Sequence, residues 1–262
     1  LRAHLSHKPA KLKPLRPRPH QQAAVKDGHD HFVTGKAKRG KLIMPCGSGK
    51  SLTAYWIAEK IGVRRIVALR GDPPKGADRF TPHPDGFASA AELVSALGDV
   101  GDFEISVAAY PEKHPEAASL GADIDNLRRK IDAGASNAIT QFFFDVEDFL
   151  RFRDACAAAG ITAPILPGLL PVENFGKMVN FARRCQANVP DWMHKAYARA
   201  ETEADAYLLS VSIACDQCDT LMAEGAEHLH LYTLNNPDLT FDVCRALGYA
   251  AAPLAAAADG AA

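Results

Sequence analysis

The chain has 262 residues, 47% of them hydrophobic and 23% charged, with a formal net charge of −1. Those proportions support a globular core and exclude collagen, a disulfide-stapled miniprotein and wholesale disorder. No apolar run reaches the roughly 18 residues of a membrane span. The first twenty residues are basic and proline-rich and lack the apolar stretch of a secretory leader. Six cysteines at irregular spacings predict a reducing, cytoplasmic setting. The charge is unevenly spread. Residues 1–42 carry eleven Lys/Arg against two Asp, a net of +9, and residues 43–262 carry nineteen against twenty-nine acids, a net of −10. With Leu1 in place of a starting methionine, that split predicts a cut N-terminus and either two origins or a basic arm on an acidic body.

In chain order, residues 1–19 have four prolines and almost no periodicity, which predicts a disordered basic arm. A short helix is expected over 20–34 and a buried strand over Lys41–Cys46. Ser51–Ile61 has Leu52, Tyr55, Trp56 and Ala58 on one helical stripe and Gly62 as its stop. From residue 64 the pattern becomes regular. Strands are expected at Arg64–Arg70, Phe103–Tyr110, Ala138–Phe144, Ala163–Leu170 and His228–Leu234. Helices are expected near 89–100, 118–133, 146–159, 173–186 and 241–247, with a longer helical insertion over 191–225. Nearly continuous apolar strands, each followed by a helix, predict a parallel sheet covered by helices. Five such units fit strands 4–8 of a (β/α)8 barrel, since eight units need about 250 residues. An open doubly wound sheet is the competing architecture. The alanine-rich tail over 251–262 is expected to fray.

Gly47-Ser48-Gly49-Lys50-Ser51 lies between the expected strand and helix, the setting of a phosphate loop. There Gly47 and Gly49 free backbone N–H groups, Lys50 reaches phosphate oxygens and Ser51 holds Mg²⁺. Met44 stands where the strict pattern has glycine, and Arg18-Pro19-His20-Gln21 lies upstream. Residues 15–62 therefore resemble the first piece of a superfamily-two helicase or type III restriction ATPase. No DExD/H box follows, and the Walker-B-like string is Phe142-Phe143-Phe144-Asp145. This predicts a P-loop βα fragment over 20–62 that binds nucleotide weakly or not at all. The alternative function is an ATP- and nucleic-acid-binding helicase-like fragment.

Residues 63–250 carry a second set of strings, at expected strand C-terminal ends where barrel chemistry gathers. They are Ala68-Leu69-Arg70-Gly71-Asp72-Pro73-Pro74, Ala108 through Glu116 (AAYPEKHPE), Asp132-Ala133-Gly134-Ala135, Ile139 through Asp145 (ITQFFFD), Pro167-Gly168 and Tyr232-Thr233-Leu234-Asn235. In this order and spacing, from about 62 to 249, they resemble the methylenetetrahydrofolate reductase family. The resemblance implies an incomplete TIM-type barrel that uses FAD, takes electrons from NADH or NADPH, and reduces 5,10-methylenetetrahydrofolate to 5-methyltetrahydrofolate. It implies that Arg70, Gly71 and Asp72 touch flavin and folate, with Asp72 on the pterin. It assigns Ala88, Tyr110, His114, Ala117, Asp123, Asn126, Arg129 and Lys130 to the flavin. Read without it, Arg128-Arg129-Lys130 is a basic solvated helix face.

By the same resemblance Gln141 binds pterin or nicotinamide, and Phe181 lies beside the ligands, although its stripe with Phe175 and Met178 equally suits a core. Lys177 and Asn236 fall at the folate tail, and enterobacterial-type enzymes carry arginine where Asn236 stands. The family's general acid, from a segment preceding strand 4, has no counterpart, so little turnover is expected of this chain. No metal is expected. Cys215-Asp216-Gln217-Cys218 is a lone CxxC in a helical pattern and reads as structural. His228 and His230 alternate on a strand, and His29 and His31 read as surface residues. The expected partner is the folate, with no membrane, and nucleic acid only under the alternative reading. Assembly into a homo-oligomer is left open.

Overall fold

The computed structural model describes residues 17–36, 57, 60–71, 80–82, 87–99, 101–234 and 236–249. The expected strand at Lys41–Cys46, the phosphate-loop residues Gly47, Gly49, Lys50 and Ser51, and Asp72 lie outside them. The first helix, α1 (Pro19–His29), starts on a proline, whose fixed φ suits a first turn and whose missing N–H costs nothing there. It continues into a π-helical turn over Asp30–Thr34, so the expected 20–34 helix forms with a wider last turn.

The repeating part contains β1 (Arg65–Ala68), α2 (Ala90–Gly98), β2 (Glu104–Ala109), α3 (Leu120–Asp132), β3 (Asn137–Phe142), α4 (Val146–Ala158), β4 (Ile165–Leu169), α5 (Phe175–Cys185), α6 (Asp191–Tyr197), α7 (Glu203–Ala223), β5 (His230–Leu231) and α8 (Asp238–Ala246). The strands form one five-stranded parallel sheet in the order β1-β2-β3-β4-β5. Ile66 pairs with Ile105 between β1 and β2, and Gly168 with His230 between β4 and β5. A doubly wound sheet reverses its strand order at a switch point. The unbroken sequential order is that of successive β/α units, consistent with an incomplete TIM-type barrel.

Two compact units divide the chain. One takes the described residues up to Ala108 with Asn126–Ala138, and the other takes Ala109–Asp125 and the described residues from Ile139 onward. In the first, Val94, Ile105, Val107 and Leu127 are at most 2% exposed and supply its core. In the second, consecutive phenylalanines divide between two clusters. Phe142 and Phe144 pack with Leu170, Met178, Met193 and Tyr197, whereas Phe143 packs with Phe149, Leu169, Cys218, Leu221 and Val243. Side chains of an extended chain alternate faces, so three aromatic residues in a row feed two cores. Full burial of each contributes about 1.5–3 kcal/mol. The Walker-B-like string is therefore core. Its acid, Asp145, caps α4 by accepting the Glu147 N–H at 3.0 Å.

The expected 191–225 insertion is two helices. Thr202 caps the second, with reciprocal bonds to Asp205, and ends any continuous helix there. The Tyr197 and Ser210 hydroxyls bond at 2.8 Å and tie α6 to α7. Within the CxxC segment, Cys218 is fully buried and the Gln217 Nε2 donates to the Phe143 and Phe144 carbonyls at 3.3 and 3.1 Å. That segment is structural, and its glutamine satisfies backbone groups at the end of β3. No described helix is long and apolar enough to cross a membrane.

Candidate functional site

The second unit is framed where β3, β4 and β5 end. Thr140, fully buried, accepts the Gly168 N–H on Oγ1 at 2.8 Å, and its carbonyl accepts the Tyr232 hydroxyl, also at 2.8 Å. Tyr232 crosses Gly168 to get there. A Cβ on Gly168 would stand 2.2 Å from the Thr140 carbonyl oxygen and 2.7 Å from the Tyr232 ring. Only glycine fits such a close backbone approach, which explains the Pro167-Gly168 pair beside Tyr232. Burial pushes the Tyr232 hydroxyl above its ordinary pKa and holds His230, edge-on to it at 4.6 Å, below its own.

Beyond this frame opens a cleft of about 230 Å³ between the loop after β4, α5, the segment after β5 and the start of α8. It brings together Lys177, Phe181 and Asn236, three of the five residues expected at the folate, the others being Gln141 and Asp72. Asn174 starts α5 by accepting the Lys177 N–H at 2.9 Å, which sets the helix so that residues 177 and 181 face the cleft. Phe181 belongs to the core and to the cleft at once. It stacks on the buried Phe142 at 5.4 Å between centroids and also forms part of the cleft wall. Asn236 donates Nδ2 to Glu173 at 2.7 Å and accepts the Asp238 N–H at 3.3 Å at the start of α8.

The expected flavin residues fall into local groups. After β2, Tyr110 and His114 meet edge to face at 4.6 Å. Asp123, buried in the first turn of α3, accepts the His114 N–H at 2.7 Å. Ala117 donates its N–H to the His114 carbonyl, and the Lys113 ammonium bonds the His114 and Ala117 carbonyls at 3.2 and 2.8 Å. Lys113 itself sits at φ 84, a conformation this bonding sustains. Glu112 accepts the Asn188 N–H at 2.6 Å through Oε2, while its buried Oε1 has no partner. Burial, with Asp148 and Asp145 nearby, raises the Glu112 pKa, against the lowering effect of the Asn188 N–H.

Further along α3, Arg129 is exposed and reaches the Asn126 Oδ1 at 3.4 Å. Lys130 is 5% exposed and its ammonium donates to the Ala108 carbonyl. A basic solvated face thus describes Arg128 and Arg129 but not Lys130. The Arg70 guanidinium lies 4.7 Å over the Phe80 ring, and Gly71 takes φ +90, which glycine alone adopts easily. Ala88 is exposed and donates its N–H to Glu92 at 3.1 Å, ahead of the Ser89 cap of α2. Gln141, in β3, turns its Oε1 onto the Phe142 N–H at 3.1 Å and is not part of the cleft wall. Sequence reasoning passed over Arg184, Glu173 and Tyr232 as site residues. The signal for Arg184 was its spacing, three residues after Phe181 and seven after Lys177.

Among known proteins, the methylenetetrahydrofolate reductase family matches residues 51–248. That start takes Ser51 and the following helix, expected with the phosphate loop, into the reductase segment, and these relatives lend the helicase-like resemblance no support. A 5,10-methylenetetrahydrofolate reductase of Pectobacterium carotovorum subsp. carotovorum is 49% identical over 195 residues, 74% of this chain and 62% of that protein. The Escherichia coli (strain K12) protein of the same name is 48% identical over 74% of this chain and 63% of its own length. Methylenetetrahydrofolate reductase (NADH) 1 of Zea mays is 37% identical over 71% of this chain and 34% of its own. The chain spans about three-fifths of the length of these bacterial relatives. A family match over three-quarters of the chain, at close to half identity with bacterial members, places this chain in the methylenetetrahydrofolate reductase family.

Proposed function

We propose that the chain takes part in reducing 5,10-methylenetetrahydrofolate to 5-methyltetrahydrofolate, with FAD as cofactor and NADH or NADPH as electron source. The observation that carries this is the cleft. Lys177, Phe181 and Asn236 come from α5 and from the segment after β5, yet line one opening. An aromatic wall with a cation beside it suits an aryl ring that bears carboxylates. The name of the maize relative favours NADH.

The residues expected at the flavin fit its chemistry in part. Arg129 and Asn126 are donors on one helix, suited to an anionic diphosphate, and the Tyr110–His114 pair offers ring edges. Asp123 and Lys130 bond backbone groups, so their role would be to shape the chain around the flavin rather than to grip it. When bound, the flavin supplies the hydride chemistry. Gln141 would offer its amide NH₂ to the pterin or nicotinamide, and Asp72 its carboxylate to the pterin. By the resemblance the general acid comes from a segment preceding strand 4, and such an acid contributes about 10²–10⁴-fold. Electron transfer from NADH to a dye needs the flavin but not that acid, so it is the activity expected of these residues.

The test loads the purified chain with FAD and follows the flavin band near about 450 nm, a property of the cofactor, then NADH-dependent dye reduction. Retained flavin with dye reduction supports the proposal. A chain that retains no flavin and binds no folate sinks it.

A further inference from the structure

The cleft holds one cation that neither the motifs nor the relatives assign. Arg184 lies on the last turn of α5, three residues past Phe181 and seven past Lys177, and lines the same opening. Residues at those spacings share one stripe of a helix. The Arg184 guanidinium carbon stands 5.8 Å from the Phe181 ring centroid, a cation–π seat that limits where the charge can go. Any arginine in a last helical turn answers the carbonyl ends there. Arg183 has that benefit too, yet donates to Asn180 at 3.2 Å and is not part of the cleft wall. The helix end therefore does not account for Arg184.

The electrostatic count in the cleft is lopsided. Glu173 is its lining acid, and it accepts from the Asn236 amide. Asn236 brings no charge of its own. Among the described residues no ion pair joins Lys177 or Arg184 to an acid. Two cations thus face the cleft against one acid whose oxygen is already engaged. Seven residues at a rise of about 1.5 Å put them roughly 10 Å apart along the helix.

We propose that Arg184 is the second carboxylate anchor of this cleft, acting with Lys177 on one ligand whose aryl-amide portion lies beside Phe181. The ligand class is an aryl amide with a tail of several carboxylates that reach roughly 10 Å along α5, farther than the two carboxylates of a single glutamate residue reach. Within the folate reading, on which the identity of the ligand rests, this makes Arg184 the residue that distinguishes long acidic tails from short ones.

The experiment titrates the 262-residue chain calorimetrically with p-aminobenzoyl-monoglutamate and p-aminobenzoyl-triglutamate, beside Arg184→Gln, Arg184→Lys and the matched control Arg183→Gln. Arg184→Gln should lose about tenfold in affinity for the triglutamate, about 1.4 kcal/mol, and less than about twofold for the monoglutamate. Arg184→Lys should regain part of the loss, and Arg183→Gln should change neither. An Arg184→Gln affinity within twofold of the parent overturns the proposal. So does an equal loss in Arg183→Gln, or a parent chain that does not bind the triglutamate. 5-Methyltetrahydrofolate triglutamate, titrated in parallel, separates the two readings. If the pterin adds no affinity while the tail still depends on Arg184, the anchor stands and the folate reading falls.

Discussion

The loop after β2 and the cleft beside α5 contain similar numbers of polar side chains and use them in opposite ways. Between Glu112 and Asp123 nearly every charged group is bonded to nearby backbone. Lys113 holds two carbonyls, Asp123 holds the His114 N–H, and Glu112 holds the Asn188 N–H. In the cleft, Lys177 and Arg184 keep their charges turned to the opening. Polar groups spent on the backbone fix a shape. Polar groups left available in a concave, partly apolar wall recognise a ligand. Substitutions in the loop should therefore register in stability, and those in the cleft in binding.

The largest effect is expected at the frame beneath the cleft. Gly168→Ala forces a methyl into the Thr140 carbonyl and the Tyr232 ring, and about 3 kcal/mol of stability should be lost. A urea midpoint within experimental error of the parent would show that the close approach is not required. Asp123→Ala comes next. It strips the His114 N–H of a buried charged acceptor, worth about 1.5–3 kcal/mol, and should open the 113–119 segment to protease. Unchanged melting and unchanged proteolysis would erase the contrast between loop and cleft.

A smaller and purely energetic signature belongs to Glu112. Its carboxyl ionises at higher pH in the folded chain than in the unfolded one, chiefly through burial. The folded state therefore loses stability as pH rises from the ordinary carboxyl range through the raised value. Glu112→Gln, which keeps an acceptor for the Asn188 N–H, should raise the melting temperature at pH 8, and the gain should shrink toward pH 4. A gain that is the same at both values would refute the assignment. The smallest stability effect is expected at Lys177. Lys177→Gln should leave folding within about 0.5 kcal/mol and weaken carboxylate binding a few-fold, more so at low salt. A large drop in melting temperature would move Lys177 from the recognition side of the contrast to the structural side.

Much of this was legible along the chain. Strands expected at Phe103–Tyr110 and Ala138–Phe144 appear at Glu104–Ala109 and Asn137–Phe142, because short apolar runs between turn residues carry their own signal. The strand expected over His228–Leu234 shrinks to His230–Leu231. Tyr232 still donates its N–H to the Leu169 carbonyl at 2.8 Å while its side chain crosses Gly168 to Thr140, and beyond it Leu234 turns to φ 46, out of the extended conformation. The 191–225 insertion read as one helical stretch because a cap such as Thr202 is a local event inside a long apolar period. Arg184 went unremarked because a basic residue in a last helical turn has an ordinary explanation. Only its neighbours in space distinguish it from Arg183.

By itself the sequence determined the alternation of strands and helices, the place of the strand-end strings and the side-chain types that those strings offer. These are local properties of period, turn chemistry and side-chain chemistry. Tertiary structure decided the rest. It set the strand order that separates successive β/α units from a doubly wound sheet, and the division of Phe142, Phe143 and Phe144 between two cores. It also buried Lys130 against Ala108 and brought Arg184, Lys177 and Asn236 to one opening. Those outcomes depend on which residues meet across long stretches of chain, and a linear pattern carries no distance between them.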